Sequence, residues 1–200
     1  MIEQEIKIAL PDRAAFDAVV RAFAAESRQP LRLVEQTNHY FDTADLQLAK
    51  ALVMLRVRQA DRAVVTLKSG TQISDGCFRS RELEGEIDAT EVDRLVADPA
   101  RLYGLDLAPI ETLRAEFGAL PLRLIGNLRT QRHVFDVDEY RVEADAMLFE
   151  DGGEEFEIEI ESEQPEEARR WCSQRLEALG VGGSPSNETK FQRVLRRLAR

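Results

Sequence analysis

The sequence predicts an α+β protein in which residues 1–200 form a single domain, with helices around a closed antiparallel β-barrel of eight strands. Eight short segments alternate apolar and polar residues, which is the period of a strand with one buried face. The polar faces of several of these segments carry rows of charged residues. Amphipathic helical segments lie between the strands and can cover apolar faces that point outward. A barrel with its charged faces inside and its apolar faces outside accounts for all of these observations.

The N-terminal elements follow from alternation and from helical spacing. Residues 2–10 form the first predicted strand, with isoleucines on one face and charged residues on the other. Pro11-Asp12 then opens an amphipathic helix that reaches about residue 27. A second strand over residues 32–41 leads into a turn and a short helix over residues 42–50.

A hairpin and a further strand are predicted in the middle of the chain. Two alternating runs, residues 54–59 and 63–69, flank the short segment 60–62, and this arrangement predicts a hairpin. Residues 70–76 begin and end with glycine and are predicted to be a loop. The next strand covers residues 78–87.

The second half of the chain is predicted to contain helices, then three strands, then two further helices. Residues 90–93 resemble a capping box, so residues 90–118 are predicted to be helical, with breaks near Pro99 and Pro109. Gly180 ends a later helix. The remaining predicted elements are strands over residues 122–137, 141–149 and 155–161 and helices over residues 165–179 and 188–200.

Composition argues against several classes of function. The net charge of −10 argues against broad nucleic-acid binding, which needs a basic surface. No window approaches the roughly eighteen apolar residues of a membrane helix, and patterned sequence follows Met1 directly, so we expect neither a membrane span nor a signal peptide. The two cysteines share no motif and are expected to be reduced thiols of a cytoplasmic protein.

Familiar nucleotide-binding and nucleophile motifs are also missing from the sequence. It contains neither the glycine-rich phosphate loop nor the dinucleotide fingerprint. With His39 and His133 as the two histidines, a histidine-rich zinc site is improbable. A serine–histidine nucleophile would have to use one of the same two residues, and neither lies near a serine elbow.

Rows of carboxylates are the most informative feature of the predicted strands. Neighbouring like charges on an open sheet cost tenths of a kcal/mol or more per pair, a cost that metal ions and basic residues facing the row would offset. For any one strand, a solvated outer face of a sandwich is an equally good interpretation. The acidic rows consist of Glu82, Glu84 and Glu86, of Glu143 and Asp145, and of Glu155, Glu157, Glu159, Glu161 and Glu163.

A lumen with both signs of charge suits a polyphosphate bound through a metal ion. Phosphate oxygens are held best by several charge-assisted hydrogen bonds at once, and carboxylates near them imply a bridging Mg²⁺ or Mn²⁺. The candidate phosphate ligands are Lys7, Arg56, Arg58, Lys68, Arg132 and Lys190. The candidate metal ligands or water-orienting groups are Glu3, Glu5, Glu82, Glu84, Asp145, Glu157 and Glu159.

The ordered set of motifs resembles the CYTH domain family, also called the triphosphate tunnel metalloenzymes. Its hallmark E-x-E-x-K is matched by Glu3-Gln4-Glu5-Ile6-Lys7 at the start of the chain. Later matches follow in the same order over essentially the whole sequence. They are Tyr40-Phe41-Asp42-Thr43, Leu55-Arg56-Val57-Arg58, Thr66-Leu67-Lys68, Arg81-Glu82-Leu83-Glu84, Arg132, Asp145, Glu157-Ile158-Glu159 and Thr189-Lys190.

This resemblance implies an eight-stranded tunnel, dependence on a divalent metal, and substrates that carry a triphosphate. The sequence looks closest to the bacterial inorganic triphosphatases, which implies hydrolysis of tripolyphosphate to diphosphate and phosphate. Glu5 or Glu159 would orient or deprotonate the attacking water, and Lys7 would act as the base if its pKa were lowered. A homodimer is plausible from the family alone.

Three alternative functions remain open at this point: a class IV adenylate cyclase, a thiamine or nucleoside triphosphatase, and a polyphosphate-binding module without turnover. An organic substrate group would need a platform, but the spacing of Trp171 favours a helix core face instead. The basic run Arg193, Arg196, Arg197 and Arg200 is interpreted as a solvated helix end whose cations suit the helix dipole.

The sequence also departs from the family pattern in its basic residues. Ser80 and Thr130 stand where family members often have a basic residue. Strict alternation also turns Arg79 and Arg81 away from Glu82, so these arginines and Arg129 rank below the other phosphate ligands.

Overall fold

The structure, a computed structural model, describes residues 2–199 and consists of an antiparallel sheet that closes on itself. Around the ring the strands follow the order β5-β4-β3-β2-β6-β7-β8-β1, and pairing of β1 with β5 completes the barrel. The strands are β1 Ile2–Leu10, β2 Arg32–Asp42, β3 Val53–Gln59, β4 Ala63–Ser74, β5 Cys77–Ile87, β6 Arg123–Val137, β7 Tyr140–Phe149 and β8 Glu154–Glu161, with a two-residue strand β9, Ser184–Pro185, beside β1. The predicted eight-stranded barrel is confirmed.

Helices cover the outside of the barrel and one of its ends. The α-helices are α1 Arg13–Glu26, α2 Gln47–Lys50, α3 Val92–Ala97, α4 Ala108–Phe117, α5 Pro165–Ala178 and α6 Lys190–Leu198. Short 3-10 turns at Ala89–Glu91 and Pro99–Gly104 divide the segment predicted to be helical over residues 90–118. The predicted breaks near Pro99 and Pro109 are both present, and Pro109 itself lies in the first turn of α4, where a missing backbone N–H costs nothing. No helix among residues 2–199 is long and apolar enough to cross a membrane.

Three apolar clusters hold these layers together. One joins α1 and α5 to the outer faces of β1 and β6–β8, and it includes Ile6, Phe16 and Ile158. A second joins α2–α4 to β2–β5. The third lies at one end of the barrel, where the ring of Phe191 from α6 stacks on Tyr40 at 5.0 Å between ring centroids. Apolar burial outside the ring and at this end leaves the lumen to polar side chains.

The predicted loop over residues 70–76 is wrong. β4 continues to Ser74 after an irregularity near Gly70, and a two-residue turn joins it to β5. Asp75 and Gly76 both have positive φ, 49° and 77°, as a tight hairpin turn requires. A Cβ on Gly76 would also lie 2.9 Å from the backbone oxygen of Lys7, so this position needs glycine for two reasons.

The segment after β2 is fixed by a buried carboxylate. Asp42 is fully buried, and its side chain accepts hydrogen bonds from the backbone N–H groups of Thr43 at 2.7 Å, Leu48 at 2.9 Å and Ala49 at 2.9 Å. These bonds tie the end of β2 to α2. Phe41 packs in the outer core. Asp42 and Phe41 of the Tyr40–Thr43 motif therefore have structural roles.

We expect Asp42→Ala to lower the free energy of unfolding by about 3 kcal/mol, because it leaves two buried N–H groups and one half-buried N–H group without an acceptor. Urea unfolding followed by circular dichroism measures this loss. Asp61→Ala, in an exposed hairpin turn, is the control and should change stability by no more than about 0.5 kcal/mol. A loss of under about 1 kcal/mol for Asp42→Ala would show that these bonds do not hold the segment.

Candidate active site

A cavity of about 1410 Å³ runs through the barrel. All six cations predicted to bind phosphate line it: Lys7, Arg56, Arg58, Lys68, Arg132 and Lys190. Of the predicted carboxylates, Glu3, Glu5, Glu82, Glu84 and Glu159 line it as well. Asp145 and Glu157 do not line the cavity but lie fully buried behind its wall.

The two ends of this cavity differ in chemistry. Charged residues that are exposed surround one end, among them Glu84, Arg141 and Glu163. At the other end, α6 and the apolar cluster close part of the barrel. The remaining gap there, between α2, α6 and the β4–β5 hairpin, is lined mainly by apolar side chains: Leu46, Leu52, Met54, Ile73, Phe78 and Leu195.

The first charged group in the lumen surrounds the ammonium of Lys68. Its Nζ lies 3.1 Å from Glu82 Oε2 and 3.6 Å from Glu5 Oε1, and it donates a hydrogen bond to Glu3. Burial disfavours the charged amine, but Glu5, Glu82 and Glu3 outweigh this effect and raise the pKa of Lys68. Burial also raises the pKa of the Glu3 carboxyl, and Glu82 adds to the shift against the opposing effect of Lys68.

An arginine pair lies beside this group, towards the charged end. Arg56 is 3.7 Å from Glu82 and donates to the Thr66 hydroxyl at 3.2 Å, while Arg58 is 3.3 Å from Glu84. The neighbouring Arg56, together with burial, lowers the pKa of Arg58. Two guanidinium groups held this close on one wall are suited to bind an anion between them.

A second charged group is built on Asp145, Glu157 and Glu159, here called the carboxylate trio. One oxygen from each residue can be chosen so that all three lie within 4.8 Å of one another. Lys190 Nζ lies 2.8 Å from Asp145, 2.8 Å from Glu157 and 2.7 Å from Glu159. Arg132 forms a forked contact with Asp145 at 2.8 and 2.6 Å and also reaches Glu159 at 2.5 Å.

Surrounding cations favour the ionised form of two members of the trio, Glu159 and Asp145. Burial alone would raise the pKa of Glu159, but Lys190, Lys7 and Arg132 together hold it well below its usual range. Burial is likewise outweighed at Asp145, where Arg132 and Lys190 lower the pKa. Glu5 connects the two charged groups, since its carboxylate lies 3.1 Å from Lys7 and 3.6 Å from Lys68.

Lys7 would need a lowered pKa to act as the base, and this structure does not provide one. Lys7 is hydrogen-bonded to Glu159 and ion-paired with Glu5. Burial would lower the pKa of the amine, but these two carboxylates outweigh it and raise the pKa. Lys7 therefore has the charge of a cation that can bind phosphate.

Arg193 is a residue of this site that the sequence analysis missed. The interpretation of its basic run as a solvated helix end is wrong, because Arg193 is only 3% exposed. Its guanidinium donates to Glu157 Oε2 at 2.5 Å and to the Ser186 hydroxyl at 2.7 Å. Arg196 and Arg197 are paired with Glu155 at 3.1 and 2.8 Å, and Arg200 lies outside the described residues. The i, i+3 spacing of Lys190 and Arg193, which places both on one helix face, was the available signal.

The structure shows where the side chains point at the positions that depart from the family pattern. Ser80 and Thr130 are buried, and the Ser80 hydroxyl lies 3.5 Å from Glu3 on the lumen side. Arg79 and Arg81 are exposed, as alternation predicts. Trp171 packs against the outer core and donates to Asp138 at 2.9 Å, so the interpretation of Trp171 as a core residue is confirmed.

Comparisons with known proteins agree with this architecture. A family model described as the CYTH domain matches residues 1–190. Among solved structures, one similar protein is from Hippeastrum. It is provisionally named an adenylyl cyclase and described as having a dominant triphosphatase activity. It is 27% identical, covers 97% of this chain and 95% of its own, and superimposes with a TM-score of 0.89.

A second similar structure is a protein from Bacillus halodurans that is provisionally named an adenylate cyclase. It is 24% identical, with 96% of this chain and 97% of the other covered and a TM-score of 0.72. At this identity the match supports the fold alone. No curated protein matches the sequence.

We expect Arg193→Met to lower the free energy of unfolding by about 3 to 5 kcal/mol, because it removes one of the two cations that contact the buried Glu157 carboxylate. Urea unfolding measures the change. The double variant Arg193→Met/Glu157→Gln should recover much of the loss, since no unpaired charge remains. Arg196→Met, on the more exposed face of α6, is the matched control and should cost no more than about 1 kcal/mol. Equal losses for the two single variants would contradict this role of Arg193.

Proposed function

The chain belongs to the CYTH domain family, and on this premise we propose that it hydrolyses inorganic triphosphate to diphosphate and phosphate with a divalent metal ion. The reaction would take place in the charged lumen of the barrel. The observation that carries this proposal is the balance of charge along the cavity wall.

The cavity wall bears equal numbers of cationic and acidic side chains. The cations are Lys7, Lys50, Arg56, Arg58, Lys68, Arg132, Arg141 and Lys190. The acids are Glu3, Glu5, Glu82, Glu84, Glu143, Glu159, Glu161 and Glu163. Triphosphate carries about four to five negative charges near neutral pH, which this balanced wall alone does not offset. A divalent cation held by the acids would leave the lysines and arginines to bind phosphate oxygens.

The chemistry of the acids fits such an ion. The trio offers only carboxylate oxygens, which are the ligands that Mg²⁺ and Mn²⁺ prefer. Glu157 Oε1 is completely buried and accepts no hydrogen bond of good geometry, although Lys190 is nearby. Glu3, Glu5 and Glu82 form a second set of carboxylates along the wall. A bound metal ion would stabilise the charge that develops on phosphate oxygens.

The residues of this chain would divide the remaining work. Phosphoryl transfer depends on positioning and on charge stabilisation, which the six lumen cations supply by binding phosphate oxygens. Glu5 is better placed than Glu159 to orient the attacking water. Three cations contact Glu159 and its pKa is far below its usual range, whereas Glu5 faces the cavity with longer contacts to Lys7 and Lys68.

The choice of inorganic triphosphate rests on two observations. The structurally similar Hippeastrum protein is described as having a dominant triphosphatase activity. The charged side chains extend along the lumen from the charged end to Lys190, so the phosphates alone can make every strong contact. A second candidate, conversion of ATP to cyclic AMP and diphosphate, is favoured by the apolar gap beside α2, which can accept an organic group.

We expect phosphate release from tripolyphosphate with Mg²⁺ or Mn²⁺ to exceed that from ATP and thiamine triphosphate, and to stop when EDTA removes the metal. Glu5→Gln should lower the rate about 100-fold or more, because the amide cannot accept a proton from water. A colorimetric phosphate assay measures each rate. Glu86→Gln, an exposed residue paired with Arg62 at 3.2 Å, is the matched control and should retain nearly full activity.

The other outcomes separate the alternatives. If ATP is converted to cyclic AMP and no substrate releases phosphate, the protein is a cyclase and the proposed hydrolase function is wrong. Tight binding of tripolyphosphate with no product would indicate a binding module. Equal activity of Glu5→Gln and the wild type would remove Glu5 from the mechanism but leave the reaction in place.

A further inference from the structure

Lys190 occupies a central position in the carboxylate trio. Its ammonium nitrogen lies 2.7 to 2.8 Å from one oxygen of each of Asp145, Glu157 and Glu159. The other cations around the trio touch fewer of its members. Arg132 contacts two, while Lys7 and Arg193 contact one each. Among residues 2–199, Lys190 is the cation that contacts all three.

The trio directs particular oxygens at this ammonium. Lys190 contacts Asp145 Oδ2, Glu157 Oε1 and Glu159 Oε1. Arg193 holds the opposite oxygen of Glu157, Oε2, and Arg132 holds Oε2 of Glu159. Hydrogen bonds of this kind orient metal-binding carboxylates in proteins. The three oxygens around Lys190 thus form a cradle for a cation. Lys7 also contacts Glu159 Oε1 and Arg132 also contacts Asp145 Oδ2, whereas Lys190 is the cation that lies against Glu157 Oε1.

Two cations cannot share this cradle. Mg²⁺ binds carboxylate oxygens at roughly 2.0–2.1 Å, so an ion held by the same three oxygens would nearly coincide with the ammonium. Like charges at such a separation repel strongly inside a protein. We therefore propose that Lys190 is the built-in counter-ion of the metal-free protein, and that a divalent ion entering the trio displaces its ammonium into the cavity. This inference rests on the metal dependence of the proposed function.

The position of Lys190 in the chain is consistent with such an exchange. It is the first residue of α6, after the N-cap Thr189, where the helix dipole disfavours a positive charge. The trio, and not the helix, therefore holds the ammonium in place. Lys190 also lines the cavity, whereas Asp145 and Glu157 are fully buried behind the wall. A displaced ammonium has the lumen available to it, where a phosphate group would meet it.

Competition predicts that removing Lys190 strengthens metal binding. A residue that served only as a phosphate ligand would leave metal affinity unchanged when substrate is absent. We expect Lys190→Met to bind Mn²⁺ at least about ten-fold more tightly than the wild type, measured by electron paramagnetic resonance of free Mn²⁺ without any phosphate present. Adding Asp145→Asn to Lys190→Met should abolish the gain. Arg58→Met removes one positive charge from the same cavity away from the trio, and should change affinity by less than about three-fold.

A measurement on the wild-type protein covers the case in which Lys190→Met does not fold. Acylation of lysines by a small anhydride, followed by mass spectrometry, reports how accessible each amine is. We expect Mg²⁺ without substrate to raise the labelling of Lys190 several-fold relative to the exposed Lys50 on α2. Unchanged labelling at a saturating concentration of metal would overturn the exchange.

These results are independent of turnover, because no substrate is present. If Mn²⁺ binds the wild type and Lys190→Met equally well, the competition is refuted while a metal-dependent hydrolase remains possible. If Lys190→Met gains affinity but the wild-type protein hydrolyses no triphosphate, the competition stands and the proposed function fails.

Discussion

Because β1 pairs with β5 along one edge and with β8 along the other, the sheet has no free edge and must enclose a lumen. Every strand then sends alternate side chains into this lumen, which α2 and α6 reach from one end. The apolar set has to face outward, where α1, α5 and the α2–α4 segment cover it. The charged set faces inward, and the E-x-E-x-K strand β1 contributes Glu3, Glu5 and Lys7 to the wall.

Enclosure makes these charges costly unless each has a partner. A buried ion pair seldom stabilises a protein more than apolar residues of the same size would, because desolvation offsets much of the attraction. The interleaving of Lys7, Lys190, Arg132 and Arg193 with the carboxylate trio is thus better explained by a ligand than by stability. Carboxylates fixed in this way can bind a metal ion with little reorganisation of their own. The stability of the fold comes from the apolar layers outside the ring.

The sequence predicted the fold well because alternation and helical spacing are local signals. It failed at residues 70–76, where the Asp75-Gly76 turn was taken as part of a loop although that dipeptide is a strong hairpin signal. The identity of the lumen charges was also predictable, since alternation places them on one face. The depth of these charges was not predictable from the sequence, because Asp145 and Glu157 are covered by Arg132, Lys190 and Arg193, which are distant from them in sequence or lie on another element. Arg193 was missed because the basic residues of α6 were interpreted together as a solvated helix end, although its i, i+3 spacing from Lys190 places both on one helix face.

In the proposed exchange, metal and substrate would support each other's binding through a single side chain. Lys190 contacts all three carboxylates of the trio, and in this exchange a divalent ion would take its place. Metal entry would place one more cation in the lumen, which favours a triphosphate. Reciprocity requires the converse: a triphosphate that attracts the Lys190 ammonium must raise the affinity of the trio for metal by the same factor. The charge of Lys190 would thus become available to phosphate only after a metal ion has taken its place among the three carboxylates.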